Sequence, residues 1–163
     1  MEFENIIAKL KEILIQYKWT IATAESLTAG LMSSYLASIS GSSGYLKGGV
    51  AAYTIPIKAE ILGVDQQMAE RCNAYSSEVA KQMVQGVCSL YNTNIGVSTT
   101  GYAEPSPEHK IEMPQAFVAI SIDGEIKIKQ VFAQNLSRNQ ARNYIAEQAL
   151  TFLLDELEKQ LIK

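Results

Sequence analysis

The sequence predicts an α/β fold, a three-layer α/β/α sandwich around a mixed, mostly parallel sheet of about five strands. Amphipathic segments with helical periodicity alternate with short, apolar, β-branched runs, as they do when helices cover both faces of a sheet. Two later runs are separated only by Asp123-Gly124, a tight-hairpin signal that makes the sheet mixed. The 163 residues are 47% hydrophobic and contain no Pro/Gly/Ser-rich linker, which fits one domain over 1–163 with one core.

Phe3, Ile6, Ile7, Leu10, Ile13, Leu14 and Tyr17 recur at helical spacing and predict a first amphipathic helix. Trp19 to Ala24 reads as a buried strand, and a helix is expected from Ser26 or Thr28 to Ser38. After the polar loop Ser40–Gly44 comes a second strand, Gly49 to Thr54. Pro56 suits the first turn of a helix that stops at Gly63, and a short helix is expected from Gln66 to Cys72. Ser76 or Ser77 caps a long helix with Val79, Ala80, Met83, Val84, Val87 and Leu90 on its inner face. Asn94 to Thr99 is the third strand, and Gln115–Ile122 and Glu125–Gln134 form the hairpin. A last helix, Ser137 to Leu161, aligns Ala141, Tyr144, Ile145, Phe152 and Leu153 on one stripe.

Composition narrows the function. A net charge of −3 and a pI near 5.2 argue against a nucleic-acid partner, which needs a basic face to neutralise phosphates. The opening residues carry charges throughout and have no long apolar run, so neither a signal peptide nor a membrane partner is expected and the cytoplasm is the expected compartment. Cys72 and Cys88 form no CxxC pair and read as core or near-core thiols. His109 is the only histidine, which sets aside a His-based triad or a multi-histidine metal site; no metal and no cofactor is expected.

Ligands of open α/β sheets gather at the carboxyl ends of the strands. Here those ends are Glu25-Ser26, Tyr53-Thr54 and Thr99-Thr100-Gly101, and parallel strands would bring them to one edge. Ser26 has two readings, a helix N-cap or a nucleophile whose oxyanion meets backbone N–H groups. A serine nucleophile needs a base, and Lys58 is the candidate, since a first-turn position disfavours its ammonium form. The alternative for Lys58 is a solvated surface lysine. Together the pair would make an amidase or acyl-transfer apparatus. Ser40 to Lys47 would suit either a phosphate loop or an ordinary turn.

The run Thr23-Ala24-Glu25-Ser26-Leu27-Thr28-Ala29-Gly30, followed by Gly41-Ser42-Ser43, Lys47-Gly48-Gly49-Val50, Tyr53-Thr54, Lys58 and Leu62-Gly63-Val64, resembles the CinA C-terminal domain family. The resemblance extends through Ser76–Ala80, Thr99-Thr100-Gly101 and Arg138–Arg142. It implies a stand-alone nicotinamide-nucleotide amidase, deamidating nicotinamide mononucleotide to nicotinic acid mononucleotide and ammonia. It puts the catalytic serine on Ser26, the lysine on Lys58 and an assisting threonine on Thr100. Glu25, Thr28, Ser42, Ser43, Tyr53 and Gly101 would bind the nucleotide, with Arg142 and the Ser42-Ser43 loop on the phosphate. A homo-oligomer is also implied.

Several positions depart from the family pattern. Leu27 and Ala29 stand where it has cysteine and glycine, and Ala29 is expected to narrow the site. Ile55 replaces an asparagine, removing a substrate hydrogen bond. The glycine-rich stretch after Thr100-Gly101 becomes Tyr102-Ala103-Glu104-Pro105-Ser106-Pro107, and a Lys-Pro-Val-Gly element becomes Met113-Pro114-Gln115-Ala116. An inward Glu104 about 5 Å from a phosphate would repel it by roughly 3 kcal/mol at an effective dielectric near 20. Beside the nucleotide amidase stand two other readings: a binding or regulatory module without turnover, and an amidase for a less anionic substrate.

Overall fold

Five strands form one sheet in the order β2-β1-β3-β4-β5. The computed structural model describes residues 2–162. In chain order the elements are α1 (Phe3–Gln16), β1 (Ile21–Glu25), α2 (Leu31–Ala37), β2 (Leu46–Ala51), α3 (Ile55–Leu62), α4 (Gln66–Arg71), α5 (Ser77–Tyr91), β3 (Ile95–Tyr102), β4 (Gln115–Ile122), β5 (Glu125–Phe132) and α6 (Arg138–Ile162). β1 pairs in parallel with both β2 and β3, while β3–β4 and β4–β5 are antiparallel. The sheet is thus parallel through its first three strands and antiparallel through the hairpin. Asp123 and Gly124 both have positive φ, as a two-residue hairpin turn requires.

The hydrophobic core is divided by the sheet between its two faces, in place of the one core expected. Ile6, Ile7, Leu10 and Leu14 of α1 pack with Met32 and Leu36 of α2 and with the Ala141, Ile145, Leu150 and Leu153 stripe of α6 on one face. Leu62, Ala69, Val79, Met83 and Val87 of α3, α4 and α5 cover the other. The connection from β1 to β2 therefore runs over one face and that from β2 to β3 over the other. A crevice opens where they part, at the carboxyl ends of β1 and β3. Among the described residues, no helix is long and apolar enough to cross a membrane.

Several boundaries differ from expectation. β1 starts at Ile21, and β2 covers Leu46–Ala51 rather than Gly49–Thr54, because pairing with β1 begins at Ile21 opposite Leu46. β3 runs on to Tyr102, carried by its pairing with β4, and β5 stops at Phe132. The largest change is at α2, which begins at Leu31 and not at Ser26 or Thr28. Ala29 and Gly30 adopt left-handed φ values of 45° and 102°, which break the helix before it. Tyr144, Leu90 and Tyr17, expected on inner stripes, are exposed at 37%, 51% and 42%; each lies at the margin of its stripe, beyond the reach of the core. Cys72 and Cys88 are free thiols, both half-buried.

Candidate functional site

Ser26 follows β1 directly, and its backbone N–H continues the ladder to the Thr99 carbonyl at 3.1 Å. Because α2 begins five residues later, Ser26 is not a helix N-cap but the first residue of a tight turn. The turn is closed by the Ala29 N–H on the Ser26 carbonyl (3.0 Å) and the Leu31 N–H on the Thr28 carbonyl (3.0 Å). Neighbouring side chains hold it from three directions.

The buried Glu25 carboxylate accepts from the Met32 and Ser33 N–H groups at 2.9 and 3.1 Å, and from the Thr23 hydroxyl at 3.3 Å. It thereby satisfies two of the orphan donors at the start of α2, where its negative charge also complements the helix dipole. The Thr28 hydroxyl is paired with that of Thr99 at 2.8 Å. Arg142 Nε donates to the Leu27 carbonyl at 2.7 Å, with Nη2 3.4 Å from the Thr28 carbonyl and Nη1 on Asn139. Glu25, Thr28 and Arg142 thus shape the turn that carries Ser26.

Lys58 reaches Ser26 from the other side. Pro56 and the left-handed Gly63 bracket α3, placing Lys58 in its first turn with its N–H on the Thr54 carbonyl. The Lys58 side chain is 1% exposed. Nζ donates to Ser26 Oγ at 2.9 Å, to the Ala52 carbonyl at 2.9 Å and to the Tyr53 carbonyl at 2.8 Å. All three partners are uncharged. Burial without a counter-ion penalises the ammonium and lowers the pKa from 10.5 to about 8.

A cleft of about 460 Å³ opens over this pair, lined by Ser26, Leu27, Tyr53, Thr54, Ile55 and Thr100, and by Tyr102 through Ser106 from the loop after β3. That volume suits a small organic ligand. Thr100 faces the cleft, but its hydroxyl donates to the Ala74 carbonyl at 2.6 Å and not to Ser26. Gly101 lies opposite Ala116 in the sheet, and a Cβ there would come within 2.2 Å of the Gln115 carbonyl oxygen. Its lack of a side chain is thus required by strand packing. Tyr53 is 54% exposed at the rim, where its hydroxyl accepts from Arg138 Nη2 at 3.1 Å.

Two expected site positions lie elsewhere. Ser42 and Ser43 form a 3-10 turn before β2, at the amino ends of the parallel strands, whereas Ser26 follows their carboxyl ends. The Ser40–Gly44 loop instead packs near α1, with Lys11 Nζ on the Ser40 carbonyl at 2.7 Å. Within this chain, then, Ser42 and Ser43 do not join the cleft. Ala29 is exposed and does not line it either, so its Cβ leaves the cleft its width.

Arg138, not Arg142, lines the cleft, and Nη1 pairs with Glu104 Oε1 at 3.0 Å. The two arginines lie four residues apart on one helix face, and their spacing alone does not separate them. Arg138 opens α6 and stands at the sheet edge, while Arg142, one turn further on, is drawn under the Ser26 turn. Asn73 and Ala74, also in the cleft lining, hold positive φ values of 51° and 57°; asparagine favours that region, whereas nothing in the sequence marks Ala74.

The fold and site define an open α/β sandwich with a buried serine–lysine pair under a cleft at the carboxyl ends of its parallel strands. Residues 3–157 match the CinA C-terminal domain, and the chain belongs to that family. It is 38% identical over 154 residues to a CinA-like protein of Sulfurihydrogenibium sp. (strain YO3AOP1), a match covering 94% of this chain and 38% of the relative. It is 36% identical over 163 residues to a putative competence-damage inducible protein of Alkaliphilus oremlandii (strain OhILAs), covering 99% of this chain and 38% of that protein. The chain therefore spans well under half the length of these curated relatives. Among solved structures, competence/damage inducible protein CihA of Agrobacterium tumefaciens superposes with a TM-score of 0.87 at 26% identity, over 96% of this chain and 95% of that one. Competence damage-inducible protein A of Klebsiella pneumoniae subsp. pneumoniae shares the fold, with a TM-score of 0.92 at 21% identity over 97% and 98% of the two chains.

Proposed function

We propose that the chain is an amidohydrolase of the nicotinamide-nucleotide type, with Ser26 as nucleophile and Lys58 as its base. The observation that carries this is the 2.9 Å approach of Lys58 Nζ to Ser26 Oγ, with the Ala52 and Tyr53 carbonyls beside it. A neutral amine has two N–H donors and one lone pair. Two carbonyl acceptors take the donors and turn the lone pair toward the serine hydroxyl. A pKa near 8 keeps a substantial neutral fraction at physiological pH.

In this reaction Ser26 Oγ attacks the carboxamide carbon as Lys58 takes the hydroxyl proton. This reading gives the developing oxyanion to the backbone N–H of Leu27, which lines the cleft beside Ser26. Lys58 returns the proton to the amide nitrogen, the C–N bond breaks and ammonia leaves. Water, deprotonated by the same amine, then cleaves the acyl ester to give the carboxylate and regenerate Ser26. Nucleophile and base both come from the chain, so this reading assigns no metal and no cofactor. It takes residues 1–163 as one catalytic unit acting on a small-molecule nucleotide, in the cytoplasm and as a homo-oligomer.

A second reading, a ligand-binding module without turnover, draws on the Thr100 hydroxyl being committed to Ala74. Ammonia release from nicotinamide mononucleotide, measured beside Ser26→Ala and Lys58→Ala, separates the two. Release by the parent that both substitutions abolish, with the fold retained, supports the amidase. Ligand binding without release, unchanged by Ser26→Ala, supports the module.

A further inference from the structure

Among the described residues lining the cleft, two carry a full charge, Glu104 and Arg138, and they are paired with one another at 3.0 Å. The remaining donors of Arg138 include one on the Tyr53 hydroxyl. Arg142 is spent on the backbone carbonyls of Leu27 and Thr28, and Lys58 on Ser26, Ala52 and Tyr53. Among the described residues, each cation at the cleft is already partnered, and an entering phosphate also meets a carboxylate.

The pair is exposed, 47% on Arg138 and 61% on Glu104, so a ligand can open it at small cost. Opening it does not remove Glu104. The adjacent Ala103 is buried, Pro105 and Pro107 stiffen the loop, and Ser106 and Ile111 exchange two backbone hydrogen bonds at 2.9 and 3.0 Å. The anchored backbone keeps Glu104 at the cleft edge, so a phosphate drawn to Arg138 enters within reach of its side-chain carboxylate.

We propose that Glu104 is a specificity-determining residue that weakens the cleft's preference for the 5′-phosphate, so that a pyridinium carboxamide riboside lacking it is accepted as a second substrate beside the nucleotide. The proposal rests on the amidohydrolase reading for the carboxamide end of the ligand, and on the cleft charges alone for the other end. A phosphate ester carries about −1.5 to −2 at neutral pH, so removing it leaves only the pyridinium cation, which Glu104 attracts.

The test compares nicotinamide mononucleotide with its dephosphorylated nucleoside, using the full chain and the Glu104→Gln and Glu104→Asp variants. Ammonia release gives kcat/KM for each ligand, and calorimetry on the same proteins in a Ser26→Ala background gives the dissociation constants. The parent is expected to turn over both ligands with kcat/KM values within about tenfold of one another. Glu104→Gln is expected to raise the nucleotide-to-nucleoside ratio about tenfold, while Glu104→Asp, which keeps the charge, leaves the ratio on the parent's side. The gain shrinks at high salt. A ratio that Glu104→Gln leaves unchanged, a parent that neither binds nor turns over the nucleoside, or binding of neither ligand overturns the proposal. Binding with the expected ratio shift but no ammonia overturns the amidase reading and leaves the role of Glu104 standing.

Discussion

Lys58 Nζ and Ser26 Oγ stand 2.9 Å apart in a pocket where the lysine has no charged partner. Ser26 directly follows β1, and Lys58 lies in the first turn of α3 beyond the neighbouring parallel strand β2, 32 positions along the chain. Enclosure by α3, the carbonyls of Ala52 and Tyr53, and the Ser26 turn excludes water from the amine. That exclusion makes the pair responsive to pH in two separate ways.

Activity is expected to rise with pH. The neutral amine is the base, so kcat/KM for ammonia release should climb about tenfold per pH unit below about 8 and level off above it. A pH–rate profile from about pH 6 to about 9.5 checks this. A profile that is flat, or that turns near the ordinary value of a histidine, counts against Lys58 as the base.

Stability carries the same signature with a different window. Between about 8 and 10.5 the unfolded chain holds a proton that the folded chain has released, so this site's contribution to stability increases with pH there. The penalty is complete below pH 8, gone above 10.5, and corresponds to roughly 3 kcal/mol. In denaturant titrations the stability of the parent relative to Lys58→Met should therefore improve by about that amount across the window.

Glu25→Gln should destabilise the fold by about 2 kcal/mol and lower kcat more than it raises KM. The substituted amide keeps one acceptor for Met32 or Ser33 and turns an NH2 toward the other N–H. The Ser26 turn then loosens. Chemical denaturation and steady-state kinetics report the two effects, and an unchanged midpoint would count against the capping role.

Arg142→Ala distinguishes a turn anchor from a phosphate ligand. As an anchor on the Leu27 and Thr28 carbonyls, its loss should reduce kcat for phosphorylated and unphosphorylated substrates by similar factors. A KM increase confined to the phosphorylated substrate would return Arg142 to the phosphate.

Ala29→Gly should stabilise the protein by up to about 1 kcal/mol, because an alanine at φ 45° sits in the left-handed region at a steric cost that glycine avoids. Thermal denaturation of the two proteins checks this. Since Ala29 lies outside the cleft, KM should change little.

The α/β class, the order of its elements and the hairpin at Asp123-Gly124 were legible in the residues, because periodicity, turn chemistry and strand-end position are local properties; Ser26 and Lys58 were legible as candidates, each beside a structural alternative. The amphipathic stripes of α1 and α5 and the Pro56-to-Gly63 span of α3 needed no tertiary information. Where α2 begins was not legible. Glu25 reads as one more polar residue until the chain folds back and offers its carboxylate the Met32 and Ser33 amides. Nor did spacing separate Arg138 from Arg142, which share a helix face and differ only in height above the sheet edge.

The sequence by itself determined the layers, the core and which chemical groups the molecule possesses. Only the tertiary structure decided which of them meet. Strand direction sent Ser42 and Ser43 to the amino edge and Ser26 to the carboxyl edge, and the loop after β3 set Glu104 against Arg138. The physical reason is that hydrogen bonds and ion pairs act over a few ångströms, whereas the residues that make this site are separated by tens of positions and meet only through the register of the sheet.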